Sequence, residues 1–103
     1  MFLWQEGAAA FHLGLFTISN RIYEALLASV TSYDRNNHHN ELSCYVSMVV
    51  GYWRLKKYST CIDLARTALD LPLTDEIRNR KKKTLTVIRR HLEFAEQKIA
   101  KNR

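Results

Sequence analysis

The chain has little glycine and proline: three glycines and one proline occur in 103 residues. Sandwiches and barrels of short strands need many turns, and turns are built largely with these two residues. Alanine, leucine, isoleucine, glutamate, lysine and arginine fill the long stretches instead. The composition therefore argues against a turn-rich all-β fold. It predicts an all-α fold and a single domain, residues 1–103, built on one modest hydrophobic core.

Long hydrophobic runs and clustered cysteines are also absent. No apolar run approaches the roughly 18 residues of a membrane-spanning helix. The first helical pattern contains Glu6, His12 and two glycines where a signal peptide would have a continuous apolar core. The two cysteines, Cys44 and Cys61, each lie in an apolar helical pattern, which is typical of reduced thiols rather than of a disulfide scaffold. We therefore expect a cytoplasmic protein.

No arrangement of residues indicates catalysis or cofactor binding. There is no Cys-x-x-Cys pair, Gly-rich phosphate loop or nucleophile elbow. His38 and His39 precede Cys44, but no second cysteine has the spacing of a tetrahedral metal site. We therefore expect no enzyme, no metal site and no cofactor, and we interpret the two histidines as solvated loop residues.

Apolar residues recur at steps of three and four along most of the chain, and this spacing predicts five helices. The polar stretch DRNNHHN, residues 34–40, is the clearest loop, and the corner at Lys56 and Lys57 favours an antiparallel helix pair. Thr74 is expected to cap the last helix. The predicted helices are residues 2–16, 20–32, 41–55, 58–71 and 75–100. The last carries a narrow apolar seam of Leu85, Ile88, Leu92, Ala95 and Ile99.

The positive charge is concentrated near the C-terminus. Residues 78–103 hold ten Lys or Arg and two Glu, so this segment carries +8 while the whole chain carries +6. Its densest part is a basic patch of Arg78, Arg80, Lys81, Lys82 and Lys83. Phosphates are attracted to such a patch, but no aromatic residue interleaves it, and we interpret it as a solvated helix face. Peripheral contact with an anionic membrane through this amphipathic helix stays open.

Residues 42–73 resemble a tetratricopeptide repeat, a pair of antiparallel helices. Tyr45 and Tyr52 take the first two aromatic positions of that repeat, and Pro72 follows the second helix. Val49 stands in place of the usual glycine, and the proline comes one residue early. The resemblance implies antiparallel pairs stacked as a short right-handed superhelix with a C-terminal capping helix. The N-terminal pair of helices would then be a degenerate first repeat.

Within that superfamily, the corner GYWRLKKY, residues 51–58, is similar to the cytosolic domain of the mitochondrial fission protein 1 family, which carries Gly-x-Tyr-Arg-Leu-Lys-x-Tyr. The similarity extends over residues 46–73, and Trp53 stands where the family often has tyrosine. It implies an adaptor at the cytosolic face of the mitochondrial outer membrane. No counterpart of the family's membrane anchor follows Lys101, so either an anchor was removed or the chain is a different helical-repeat protein.

In the tetratricopeptide superfamily, ligands bind along the first helix of each pair. The spacing independently places a set of residues on one face of the helix at 41–55. Tryptophan and arginine, which this set includes, are enriched among residues that dominate binding energy. Trp53 as a core residue, packed against the N-terminal pair, stays open as the other interpretation. The predicted groove residues are Ser43, Val46, Val50, Trp53 and Arg54.

These observations predict a protein–protein interaction module or adaptor that holds a peptide or helix of another protein in a groove. Trp53 would anchor the ligand, while Arg54, Lys56 and Lys57 favour an acidic one. One alternative is a small tetratricopeptide-like chaperone of a secretion or assembly system. A second alternative is a basic helical nucleic-acid-binding protein. The broadly apolar first helix also suggests a homo- or hetero-oligomer.

Overall fold

The described residues, 2–31 and 38–101 of a computed structural model, form six α-helices and no strand. The predicted all-α fold is confirmed, although several helix ends differ from the prediction. The predicted loop at 34–40 falls largely outside the described residues. The helices are α1 (Phe2–His12), α2 (Phe16–Val30), α3 (His39–Arg54), α4 (Tyr58–Leu69), α5 (Asp75–Arg80) and α6 (Lys82–Lys101).

The first helix ends four residues before its predicted end, because Gly14 terminates it. Gly14 has a φ of 78°, in the left-handed region that glycine adopts without strain. Its N–H donates to the Phe11 carbonyl at 3.0 Å, and the Leu15 N–H donates to the Ala10 carbonyl at 2.9 Å. This pair of hydrogen bonds is a Schellman motif. Gly14, interpreted from the sequence as a weak interior position, is the C-terminal cap.

The second helix begins four residues before its predicted start, directly after this turn. Ser19 and Asn20, which lie at its predicted start, are instead buried inside it. The helix packs antiparallel on α1, where Trp4 meets Tyr23 edge to face, with ring centroids 6.3 Å apart. The turn between the first two helices therefore spans three residues, as predicted, but it lies four residues earlier in the chain.

The third and fourth helices form the predicted antiparallel pair. Lys56, at a φ of 62°, donates its N–H to the Trp53 carbonyl at 3.0 Å. The Lys57 N–H donates to the Tyr52 carbonyl at 2.9 Å, which completes a second Schellman motif. Here the left-handed position is occupied by lysine rather than glycine, and the chain turns directly into α4.

The predicted last helix is two helices, with the break at Lys81. Thr74 caps α5 as predicted, since its side-chain oxygen accepts a hydrogen bond from the Ile77 N–H at 3.2 Å. Lys81 reaches back to α3 and donates from its ammonium group to Ser43 Oγ at 2.9 Å. The break between α5 and α6 therefore coincides with a contact to α3, a helix far away in the sequence.

The fold is held together by α3, which packs against α2, α4 and α6. Because Ser43 meets Lys81 near the start of both helices and Trp53 meets His91 farther along, α3 and α6 run parallel. α4 lies against both and runs antiparallel to them. The predicted seam of α6 is confirmed as its core face: Leu85, Ile88 and Ala95 are buried, and Leu92 and Ile99 pack partly buried against the core.

Candidate protein-binding site

Trp53 lies between α3 and α6 with its side chain partly buried. The His91 ring meets the indole edge to face, at 5.3 Å between centroids and 89° between planes. The Phe94 ring lies 6.0 Å from the indole at a tilt of 44°. His91 Nδ1 is 2.8 Å from the Val87 carbonyl oxygen, which fixes the imidazole that supports the indole. Both of these ring contacts of Trp53 are with residues of α6.

Two hollows open on either side of this tryptophan, and we refer to them together as the Trp53 cleft. Both share Trp53 and Lys98, so the indole forms the wall between them. No acidic residue lines either one. The first, of about 280 Å³, is lined by Trp53, Phe94, Gln97, Lys98 and Lys101. The second, of about 360 Å³, is lined by Trp53, Arg54, Lys56, Tyr58 and Lys98.

The indole N–H of Trp53 is buried and has no hydrogen-bond partner among the described residues. Buried donors are normally paired, and one without a partner costs roughly 1–3 kcal/mol. Trp53, which lines both hollows of the cleft, therefore carries an unsatisfied donor.

The cations predicted to select an acidic ligand are divided between two places. Arg54 and Lys56 line the Trp53 cleft, and the Arg54 guanidinium lies over the Phe16 ring, 5.5 Å from its centroid. Lys57 instead lines a separate hollow of about 170 Å³ beside Glu24. The prediction of cations near Trp53 thus fits two of the three residues.

The predicted groove residues do not all reach the cleft. Trp53 and Arg54 line it, whereas Ser43, Val46 and Val50 do not. Ser43 lies at the opposite end of α3, beneath the ammonium group of Lys81. The helical face expected to be an open groove is therefore partly covered by α6, and it opens only near Trp53.

The predicted basic patch lies on α5 and the start of α6, apart from the cleft. Arg78, Lys82 and Lys83 are exposed there. Arg80 forms an ion pair with Glu76 at 3.2 Å. Lys81 is engaged with Ser43 of α3, and partial burial lowers its pKa from the usual value. Two of the five cations are thus already engaged within the protein.

Phe94, Lys98 and Lys101 belong to the cleft, but sequence reasoning missed them. Their spacing of four and three residues places them on one face of α6, which was the available signal. A second exposed apolar surface lies at the α1–α2 turn, where the broadly apolar first helix ends. There Leu13, at 74 % exposure, accompanies exposed Leu15 and Ile18.

The described residues contain no group suited to catalysis by a thiol or a metal. Burial raises the pKa of Cys44 to about 12 and that of Cys61 to about 11, so both thiols stay protonated at neutral pH. Within residues 2–31 and 38–101, no three His, Cys, Asp or Glu side chains are grouped as metal ligands would be.

Comparison with known proteins adds no further assignment. No protein-family model, curated protein or solved structure matches the chain. Among the six described helices, none combines the length and the apolar character that crossing a membrane requires.

Proposed function

We propose that the protein is an interaction module that binds a segment of another protein in the Trp53 cleft. The observation that carries this proposal is the partly buried Trp53 with its unpaired indole N–H, set between Phe94 and a row of cations. Tryptophan often anchors protein interfaces because it combines a large apolar surface with one donor.

The helix arrangement supports a tetratricopeptide-like repeat as the basis of this module. α3 and α6 lie side by side and parallel, with antiparallel α4 against both, which is the order expected of one helix pair followed by the first helix of the next. α1 departs from that order, because its main contacts are with α2 and not with α3. We propose the repeat only for residues 39–101.

Both an adaptor of the mitochondrial fission type and a secretion or assembly chaperone would use such a cleft. The two differ in selectivity, since an adaptor prefers one motif and a chaperone accepts many exposed apolar segments. We propose the adaptor, because the cations that line the Trp53 cleft favour discrimination over broad apolar capture.

The proposal is tested by selecting displayed peptides on the folded protein and mapping one of them by NMR. The chain has two tryptophans, Trp4 and Trp53, so its spectrum has two indole N–H signals, which a Trp4→Phe variant assigns. Binding in the cleft shifts the Trp53 signal and leaves that of Trp4 in place. Phe94→Ala weakens binding at least about tenfold, whereas Leu13→Ala, at the exposed α1–α2 turn outside the lining of the cleft, has no effect.

Circular dichroism establishes first that both variants retain the wild-type helix content. The proposal fails if no peptide is selected, or if the selected peptides lose affinity with Leu13→Ala and keep it with Phe94→Ala. That second result would move the binding surface to the α1–α2 turn.

A further inference from the structure

We infer that the occupant of the Trp53 cleft is an acidic segment, in which one apolar side chain enters the cleft and carboxylates flank it on both sides. This inference rests on the proposed function and adds the chemistry of the partner. It also revises the residues that would select the partner. Half of the four cations that line the cleft, Lys98 and Lys101, belong to α6.

The charge around the cleft has one sign. Arg54 and Lys56 lie on one side of Trp53, Lys101 lies on the other, and Lys98 borders both hollows. With no acid in the lining, none of these four cations is neutralised within the cleft. A chain bound across Trp53 therefore passes between positive groups at both ends, and carboxylates at those points lower the free energy of the complex.

The two acids of α6, Glu93 and Glu96, line neither hollow of the cleft. Glu96 pairs with Arg66 of α4 at 3.2 Å and lines a hollow between those two helices. The charged residues that line the cleft are therefore all cations.

One of the four cations, Arg54, is held in position before binding. Its guanidinium lies over the Phe16 ring, which restricts the side chain to the side of the cleft. Lys98 and Lys101 are exposed and lie three residues apart on α6, close to one helical turn, so their ammonium groups suit carboxylates spaced along a peptide. Phe94, which is 38 % exposed and lies about one turn before Lys98, provides the apolar contact.

The same positive charge attracts nucleic acids and anionic membranes, but the shape of the site favours a peptide. Single-stranded nucleic acids bind where bases can stack on open aromatic faces. Trp53 is partly buried and meets the rings of His91 and Phe94, which limits the open aromatic face. A membrane surface is broad, whereas the tryptophan lies in a concave cleft, which a peptide side chain can enter.

The test uses three fluorescein-labelled amphipathic peptides of about fifteen residues, long enough for an i, i+3, i+4, i+7 apolar face. Leucine and phenylalanine occupy that face in all three. The other positions are aspartate and glutamate in the first peptide, asparagine and glutamine in the second, and lysine in the third. An oligo-thymidine strand and phosphatidylserine vesicles serve as the competing anionic probes.

Fluorescence polarisation measures each peptide against the wild type, Lys98→Glu/Lys101→Glu and Lys82→Glu/Lys83→Glu. The last variant is the matched control, because it makes the same change of charge on exposed residues of the same helix outside the cleft. A Lys98→Gln/Lys101→Gln variant repeats the test without placing new acids near the end of α6, where the helix dipole disfavours them.

The wild type is expected to bind the acidic peptide at least about tenfold more tightly than the neutral one, with a preference that falls as salt rises. Lys98→Glu/Lys101→Glu reverses the preference toward the lysine peptide, the glutamine variant removes it, and the control retains it. Equal binding of the acidic and neutral peptides overturns the inference while leaving the proposed function intact.

Failure of all three peptides, together with failure of the displayed peptides to shift the Trp53 signal, overturns both the inference and the proposed function. Tighter binding of the oligonucleotide or the vesicles, lost with Lys98→Glu/Lys101→Glu, overturns the choice of an acidic peptide and assigns the cleft to that other anion.

Discussion

Asn20 of α2 lies against the backbone of Gly51 in α3, and a Cβ at position 51 would overlap its side-chain oxygen. Asn20 is 2 % exposed, and neither polar atom of its amide has a hydrogen-bond partner among the described residues. Glycine in a helix interior is costly, so its presence here is explained by the approach of the two helices. The contact fixes how closely the N-terminal pair can pack on α3.

Gly51→Ala is expected to lower the free energy of unfolding by about 1–3 kcal/mol, because the new methyl group forces apart a buried contact. In an Asn20→Ala background the same change should instead raise stability by about 1 kcal/mol, since alanine has the higher helix propensity. Urea denaturation of the four proteins in this cycle measures both effects. If Gly51→Ala changes the free energy of unfolding by the same amount in both backgrounds, contact with Asn20 is not the reason for glycine at position 51.

Lys56→Gly is expected to stabilise the protein by about 1 kcal/mol, because lysine occupies a left-handed position that costs side chains with a Cβ. Lys56→Ala is the control: alanine keeps the Cβ and should give no such gain. Thermal and urea unfolding distinguish the two variants. If both stabilise equally, the loss of positive charge and not the backbone conformation is the cause.

Thr74→Ala is expected to destabilise the protein by about 1 kcal/mol, because it removes the acceptor for the Ile77 N–H at the start of α5. Thr74→Ser keeps the hydroxyl group and should retain most of the stability. The comparison is made by urea denaturation. Equal losses in both variants would show that the methyl group of the threonine, rather than the cap, matters.

Both cysteines are expected to resist thiol reagents in the native state. Cys44 and Cys61 are fully buried, and their raised pKa values keep them as thiols at pH 8. Ellman's reagent should label neither at pH 8 and both after unfolding in guanidinium chloride. Rapid labelling of the folded protein at either position would contradict this burial.

Stability is expected to fall as pH rises above about 9. The unfolded chain releases its thiol protons near pH 8.5, whereas the native chain holds those of Cys44 and Cys61 until about pH 12 and 11. Between these limits the unfolded state binds fewer protons, so each thiol lowers the unfolding free energy by at most about 1.4 kcal/mol per pH unit. Cys61→Ala should make the unfolding free energy fall less steeply between pH 9 and 11. An unchanged pH dependence would show that other groups cause it.

The helices were predictable because their apolar faces follow local periodicity, but several of their ends were not. Gly14 was misread because a glycine inside a helix and one that ends it differ only in φ. The break at Lys81 accompanies a hydrogen bond to Ser43, which no local pattern records. Asn20 falls at the predicted start of α2, and its burial depends on Gly51, a residue of another helix, so local spacing could not show it.

From the sequence, the candidate site was predictable only on α3, the helix that ends in the corner GYWRLKKY, residues 51–58. Trp53 and Arg54 follow from the face of α3, whereas Phe94 and Lys98 required knowing that α6 runs beside α3. The apolar seam of α6 shows which side faces the core. It does not show which of the remaining sides meets the tryptophan.

Because the Trp53 cleft is formed by α3 and by the second half of α6, it exists only while that half is docked. Undocking of those turns separates Phe94 from Trp53 and divides the cations between two unconnected segments. The measured affinity is then the intrinsic affinity multiplied by the docked fraction. A bound partner consequently slows hydrogen exchange in the second half of α6, including amides that it never touches.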